Sequence, residues 1–259
     1  MMPFIYGFLG SLLIAFPAFL KKKLSSSGLL GAVTIGTLIY GFGTFLLWLV
    51  MITFFLSSTL ISNKSKRRQE HQGRTYIQVF ANGGVALVFA TLYYFYQIEA
   101  YLLIALISFA GSNADTWGSE IGTRFQGKTF YITTFQTVPS GISGGVSFIG
   151  TIASILGSLL IATVTISFIN IPTLTPTLTL PTWQVFLLVL GMGFLNTILD
   201  SYFGALLQAK YRLNQESTIV EEKEKNTRLV AGLAWINNDV VNFLSTFATA
   251  IIAGFFLLF

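Results

Sequence analysis

Apolar runs of membrane-crossing length alternate with short polar breaks along the whole of this chain. They fall at about residues 4–20, 29–62, 76–96, 100–116, 146–169, 183–209 and 232–259. A helix needs roughly 20 apolar residues to cross a hydrocarbon core, and somewhat more when tilted, so each run except the second is read as one helix. The second run is too long for a single crossing. Its centre, Tyr40-Gly41-Phe42-Gly43, offers a turn, so the pattern predicts two short or tilted helices there and eight crossings in all.

The basic residues fit that count. All fifteen lie in four places: Lys21 to Lys23; Lys64, Lys66, Arg67, Arg68 and Arg74; Arg124 and Lys128; and Lys210, Arg212, Lys223, Lys225 and Arg228. None falls between Gln97 and Ala100 or in the Pro- and Thr-rich stretch Ile171 to Pro181. Eight crossings with both termini on the non-cytoplasmic side put every basic connection in the cytoplasm, as the positive-inside rule requires, whereas seven would break the alternation.

Composition agrees with the periodicity. With 53% hydrophobic and 10% charged residues and a mean hydropathy of +0.72, a water-soluble fold could not hide its apolar surface. The expectation is an all-α polytopic membrane bundle, a single domain over residues 1–259 with its motif-bearing core at 76–245. No cysteine is present, which removes disulfides and thiolate metal sites. The first run is followed by three lysines instead of a small-residue cleavage site, so it is read as a retained helix.

The candidate chemistry sits in polar residues inside or beside these runs. Gly111 to Thr151 joins two apolar segments yet carries Asp115, Glu120, Arg124, Lys128 and the loop VPSGISGG. An intramembrane carboxylate is expensive enough to be read as functional by default. A bend of serines and glycines, here Ser140, Gly141, Ser143, Gly144 and Gly145, suits the wrapping of an oxyanion by backbone N–H groups. The eight-crossing topology sets Asn82, Asp115, Asp200 and Asp239 at broadly similar depth near the cytoplasmic side. Asn196 and Asp200 are four apart, as are Asn238 and Asn242, so each pair shares a helix face. A bundle interior presenting Asp115, Glu120, Asp200 and Asp239 would supply the hard oxygen ligands Mg²⁺ prefers. The lone histidine, His71, lies in a basic loop and is read as solvated, which argues against zinc. A structural hydrogen-bond network between helices is the plainer reading of the acids, and close helix packing that of the glycines, including Gly150, Gly157, Gly191 and Gly193. Lys64 to Arg68 is read as a topology signal or a contact with anionic lipid, and ESTIVEEKEK, residues 216–225, as a solvated segment.

Five ordered motifs, QVFANGG, NADTWGSEIG, VPSGISGGVSFIGT, DSYFGALLQ and NNDVVNFLS, resemble those of the TMEM-nineteen-like family of membrane proteins, whose plant and cyanobacterial members include phytyl-phosphate kinase. The resemblance implies transfer of a phosphoryl group from CTP to phytyl monophosphate, giving phytyl diphosphate for tocopherol and related prenyl-lipid synthesis in a bacterial plasma membrane or a thylakoid. The loop departs from the family pattern at Ile142, where a Thr-Asn or Thr-Ser pair commonly precedes the two glycines. Phosphoryl transfer asks mainly for positioning and charge neutralisation. On this reading Asp115, Glu120, Asp200 and Asp239 hold Mg²⁺, Arg124, Lys128 and the glycine-rich loop receive phosphate, and Asn82, Asn238 and Asn242 orient substrate or water. No GxxxxGK[ST] motif is present, which argues against a P-loop. Two readings compete: a membrane cytidylyltransferase making a CDP-lipid, and a transporter of cations or small solutes.

Overall fold

The computed structural model describes residues 1–62, 73–125, 127–174, 178–213, 219–223 and 227–258. Within these it is helical: α1 (Met2–Leu20), α2 (Ser26–Phe42), α3 (Phe45–Ile61), α4 (Tyr76–Tyr96), α5 (Glu99–Arg124), α6 (Phe148–Phe168), α7 (Thr182–Leu206) and α8 (Asn238–Leu258). By length and composition α1, α4, α6, α7 and α8 are long and apolar enough to cross a membrane, and α2 and α3 are shorter apolar helices. The long second run divides at Gly43-Thr44. There the Thr44 hydroxyl accepts the Leu47 N–H at 3.1 Å, a side-chain cap that starts α3 just where α2 stops. Ser25 and Ser147 cap α2 and α6 in the same way.

Helices consecutive in the chain alternate in direction, as residue pairings along their lengths show. Gly7 abuts Tyr40 and Ser11 abuts Gly36, so α1 and α2 are antiparallel. Gly31 meets Tyr76 while Gly83 meets Ile35, which runs α2 and α4 together. Ser57 bonds Asn113 and Ser62 bonds Glu120, so α3 and α5 are parallel. Asn113 bonds the Gly157 carbonyl while Gly118 packs on Ser154, which turns α6 back along α5. Ser245 bonds Asp200 and Thr249 bonds Asn196, which turns α8 back along α7. All four basic connections therefore gather at one end of the bundle, and both chain termini lie at the other.

The central element is α5. Every residue from Leu102 to Ala114 is buried, because α3, α4, α6, α7 and α8 all pack on it. Small residues make the close approaches: Gly111 against Asn196, Gly118 against Ser154, and Gly157 against the Asn113 carbonyl and Ala114. Gly150 and Gly193 serve close packing as expected. Gly191 does not, since nothing lies within 4 Å of where its Cβ would stand.

Three readings of the sequence change. The fifth helix continues to Arg124, so Asp115 lies within it instead of closing it, and Glu120 is helical. The last helix begins at Asn238, six residues after the start of the apolar run. Two connections at the basic end also fold into small antiparallel sheets. In the first, β2 (Thr137–Val138), β1 (Thr129–Tyr131) and β3 (Gly145–Ser147) pair in that order; in the second, β5 (Ile219–Val220), β4 (Lys210–Leu213) and β6 (Thr227–Ala231) do. Ile219 and Val220 thus belong to a strand within the segment read as solvated, much of which, like Lys64 to Arg68 and His71, lies outside the described residues.

Candidate functional site

Two turns from the basic end, polar groups from four helices meet. Asp200 on α7 is buried, 9% exposed, and its Oδ2 accepts the Ser245 hydroxyl of α8 at 2.9 Å. With its amide nitrogen turned toward the acid, Asn242 donates to the same oxygen at 3.2 Å and to the Asn238 carbonyl at 3.1 Å. Across the interface stands Asp115 of α5, half-buried; Gly111 of α5 abuts Asn196 of α7, and Asp115 and Asp200 each follow four residues on, which sets the two carboxylates on facing sides of these helices. Ser112, three residues before Asp115, donates to the Asn82 carbonyl of α4 at 2.8 Å. One turn deeper, Asn196 accepts the Thr249 hydroxyl at 3.1 Å. The helical spacing seen in the sequence is what aims Asn196 with Asp200 at one interface, whereas Asn238, exposed, contributes only its backbone carbonyl to Asn242.

Other candidate residues lie elsewhere at this end. Glu120 is on another side of α5, where it accepts the Ser62 hydroxyl at the end of α3 at 3.1 Å, and Arg124, exposed, donates to the Ile61 carbonyl. These two tie α5 to α3. Asp239 occupies the first turn of α8, half-buried, beside the exposed Asn238, and a carboxylate there is favoured by the helix dipole. Lys128 is exposed immediately before β1. Among the described residues no three His, Asp or Glu side chains come together as a metal-holding group; what converges is the pair Asp115 and Asp200.

The glycine-rich loop packs on the C-terminal end of α7. Gly141 and Gly144 have φ of +90° and +86°, a backbone region costly to residues with a Cβ. A Cβ on Gly144 would stand 2.6 Å from that of Ala205, and one on Gly204 would stand 2.2 Å from the Ser143 hydroxyl. The Ser143 N–H donates to Glu221 Oε1 at 2.5 Å, its hydroxyl donates to Gln208 Oε1 at 2.7 Å, and Gln208 Nε2 donates to Glu221 Oε2 at 2.9 Å. The Gly145 N–H bonds the Ile142 carbonyl. Beneath them Lys210, 4% exposed, donates to the Gly204 carbonyl at 2.6 Å and the Ala205 carbonyl at 3.2 Å, with its ammonium 5.5 Å from the Tyr131 ring centre. That cation complements the negative end of the α7 dipole. Burial pushes the Glu221 carboxyl above its ordinary range, partly offset by the Ser143 N–H, the Lys210 charge and Gln208.

Gln208, Lys210 and Glu221 were not among the residues singled out from sequence. Lys210 stood in a basic cluster that reads as topology, and Glu221 in an acidic stretch that reads as solvent-facing. Both are drawn inward by β4 and β5, which have no strong sequence signature.

A helical bundle that buries an acid pair behind a basic, loop-covered end defines a multi-pass membrane protein with an internal polar site. The chain matches the integral membrane protein family DUF92 over residues 9–250 and belongs to that family. It is 26% identical over 276 aligned positions to Protein PGR of Arabidopsis thaliana, covering 96% of this chain and 94% of that one. It is 29% identical to an uncharacterized membrane protein of Methanocaldococcus jannaschii, over 81% of this chain and 86% of the relative. With the chloroplastic Protein VTE6 of Arabidopsis thaliana it shares 29% identity over 90% of this chain and 65% of that protein. No solved structure matches the chain.

Proposed function

We propose that this protein is a membrane phosphotransferase that moves the γ-phosphoryl group of CTP onto an isoprenoid monophosphate, phytyl monophosphate in the first instance, at the cytoplasmic face. The observation that carries this reading is the meeting of Asp115 and Asp200 with Asn242 and Ser245 near the basic end of the bundle. Two carboxylates in one low-dielectric site call for a cation or a proton between them. Mg²⁺ is bound through one or two carboxylates with its remaining places left to water and substrate phosphates, so the pair and the Asn242 amide fit it without Glu120 or Asp239. When bound, Mg²⁺ would neutralise charge on the nucleotide phosphates.

The chain's own residues do the rest. Ser245 and Asn242 fix the Asp200 carboxylate, while Ser112 fixes α4 against α5 beside Asp115. Gathered bases at this end attract the anionic nucleotide from water. In the transfer, an oxygen of the lipid phosphate forms a bond to the γ-phosphorus, the bond from that phosphorus to the β,γ-bridging oxygen breaks, and CDP leaves. The glycine-rich loop can receive phosphate at the Ser143 N–H only by displacing the Glu221 carboxylate that now occupies it. Kinship with VTE6 supports the reading through the phytyl-phosphate kinase activity that the motif resemblance implies.

Purified protein given γ-labelled CTP, Mg²⁺ and phytyl monophosphate should yield labelled phytyl diphosphate and CDP. Pyrophosphate release with formation of a CDP-lipid would replace this reading with cytidylyl transfer. Ion flux in proteoliposomes without nucleotide turnover would replace it with transport.

A further inference from the structure

The acid pair and the glycine-rich loop stand on one line along α7. Asn196, Asp200 and Gly204 are spaced by four and so share the side of that helix which Gly111 of α5 abuts. Ser143 lies against the last of the three, its hydroxyl 2.2 Å from where a Cβ on Gly204 would stand. At 1.5 Å of rise per residue, the loop therefore meets α7 only about 6 Å along the axis from Asp200, toward the basic end. Gly204 has no side chain to stand between them.

Donors gather around an anion at that point. The Ser143 N–H and Gln208 Nε2 take one oxygen each of the Glu221 carboxylate, and the buried Lys210 ammonium acts on it as an opposite charge. That carboxylate belongs to a different connection, 78 residues beyond Ser143, just past the two-residue strand β5, which pairs with β4 through Val220 and Ile219. Glu222 beside it is exposed, so the segment presents one acid to water and turns the other onto the loop. Two N–H groups and a cation set round an anion with two oxygens also meet the needs of a phosphate. Lys210 is anchored by the Gly204 and Ala205 carbonyls, so its charge stays in place if the carboxylate leaves. A buried cation left alone is costly, and an arriving phosphate restores the balance.

We infer that Ser143, Gln208 and Lys210 form a seat for a phosphate of the incoming nucleotide, and that Glu221 is the chain's own occupant of that seat, displaced when the nucleotide binds beside Asp200. This deepens the kinase reading, on which the identity of the nucleotide rests. A seat filled by its own side chain binds a ligand more weakly in proportion to the time it stands filled. Removing the occupant therefore strengthens binding even though it strips contacts from the loop. The test is binding of β,γ-methylene CTP, which resists transfer, to full-length protein in nanodiscs. Glu221→Ala should tighten the analogue by about tenfold, the affinity equivalent of one hydrogen bond to a charged group, and Glu221→Gln, which keeps an acceptor without the charge, by less. Gln208→Leu added to Glu221→Ala should return most of that gain. The chain has no cysteine, so a spin label on Lys223→Cys reports this segment alone and should gain mobility as the analogue binds. Should Glu221→Ala fail to fold, the Gln variant and the label decide. Unchanged or weaker analogue binding in the folded Glu221 variants, or a label indifferent to the analogue, would overturn the inference. Tightening seen with phytyl monophosphate but not with the analogue would give the seat to the acceptor and overturn the nucleotide assignment. Tightened analogue binding without transfer from CTP would keep the seat and sink the kinase reading; transfer with analogue affinity blind to Glu221 would do the reverse.

Discussion

Asp200 is the residue on which most of the site's geometry closes, because three helices supply its surroundings. Asp200→Asn and Asp115→Asn should each lower phosphoryl transfer by on the order of 10²- to 10³-fold, the scale of losing a charge stabiliser in a preorganised site. Folded protein should be recovered from both, and unchanged turnover would remove them from the site. Ser245 acts through Asp200, as a positioning residue. Ser245→Ala should lower kcat by about tenfold, the rate equivalent of one hydrogen bond to a charged group, with KM for CTP unchanged and partial rescue by Thr. The acids and amides were visible in the sequence because an intramembrane carboxylate stands out against apolar neighbours, and spacing by four gives its face. Their partition was not visible. Asp115 and Glu120 are five apart on one helix, which rotates them to different sides, and that matters only once α5 is known to continue to Arg124. An apolar run that ends at residue 116 hides the continuation.

Elements show where small residues decide the packing. A Cβ on Gly111 would come within 2.6 Å of Asn196, so Gly111→Ala should push α5 from α7 and cost about 1–3 kcal/mol, read as a lower Tm in detergent, with activity falling although no polar group is removed. The two extramembrane sheets were illegible in advance, since strands of two to five residues carry no useful period and their polar side chains read as solvent-facing. Together they form a clasp in which Glu221 holds the loop. Its carboxyl is pushed above its ordinary value near 4.5 by burial. A raised folded-state value means the contribution to stability is complete below that ordinary value and is lost as pH rises through the elevated one. Exchange of the Ser143 amide should therefore quicken as pH climbs through this window beyond the ordinary base-catalysed trend. Glu221→Gln should remove that additional dependence, and an unchanged profile would take Glu221 out of the clasp.

The whole molecule is asymmetric along its axis. Every base among the described residues lies at one end, while at the other Glu99 accepts the Thr179 N–H at 2.7 Å and its hydroxyl at 2.8 Å and so pins the connection before α7 to the start of α5. The chain has no cysteine, so single cysteines report sidedness directly. Thr134→Cys should react with an impermeant maleimide only in inverted vesicles and Gln97→Cys only in right-side-out ones; the opposite result would reverse the orientation. Eight helices and the placing of the basic connections at one end were legible at this scale because both follow from run lengths and charge counts.

A helix sheathed by neighbours from Leu102 to Ala114 gains nothing from lipid and has no need to be apolar enough for lipid, and this bears on biogenesis. Emerging from the ribosome alone, with Asn113, Asp115 and Glu120 uncovered, α5 would be a poor candidate for lateral release into the bilayer. It should wait beside the insertion machinery until α6 arrives to shield it. A nascent chain stalled soon after Arg124 should remain extractable by alkali at this segment, while one stalled beyond Phe168 should not.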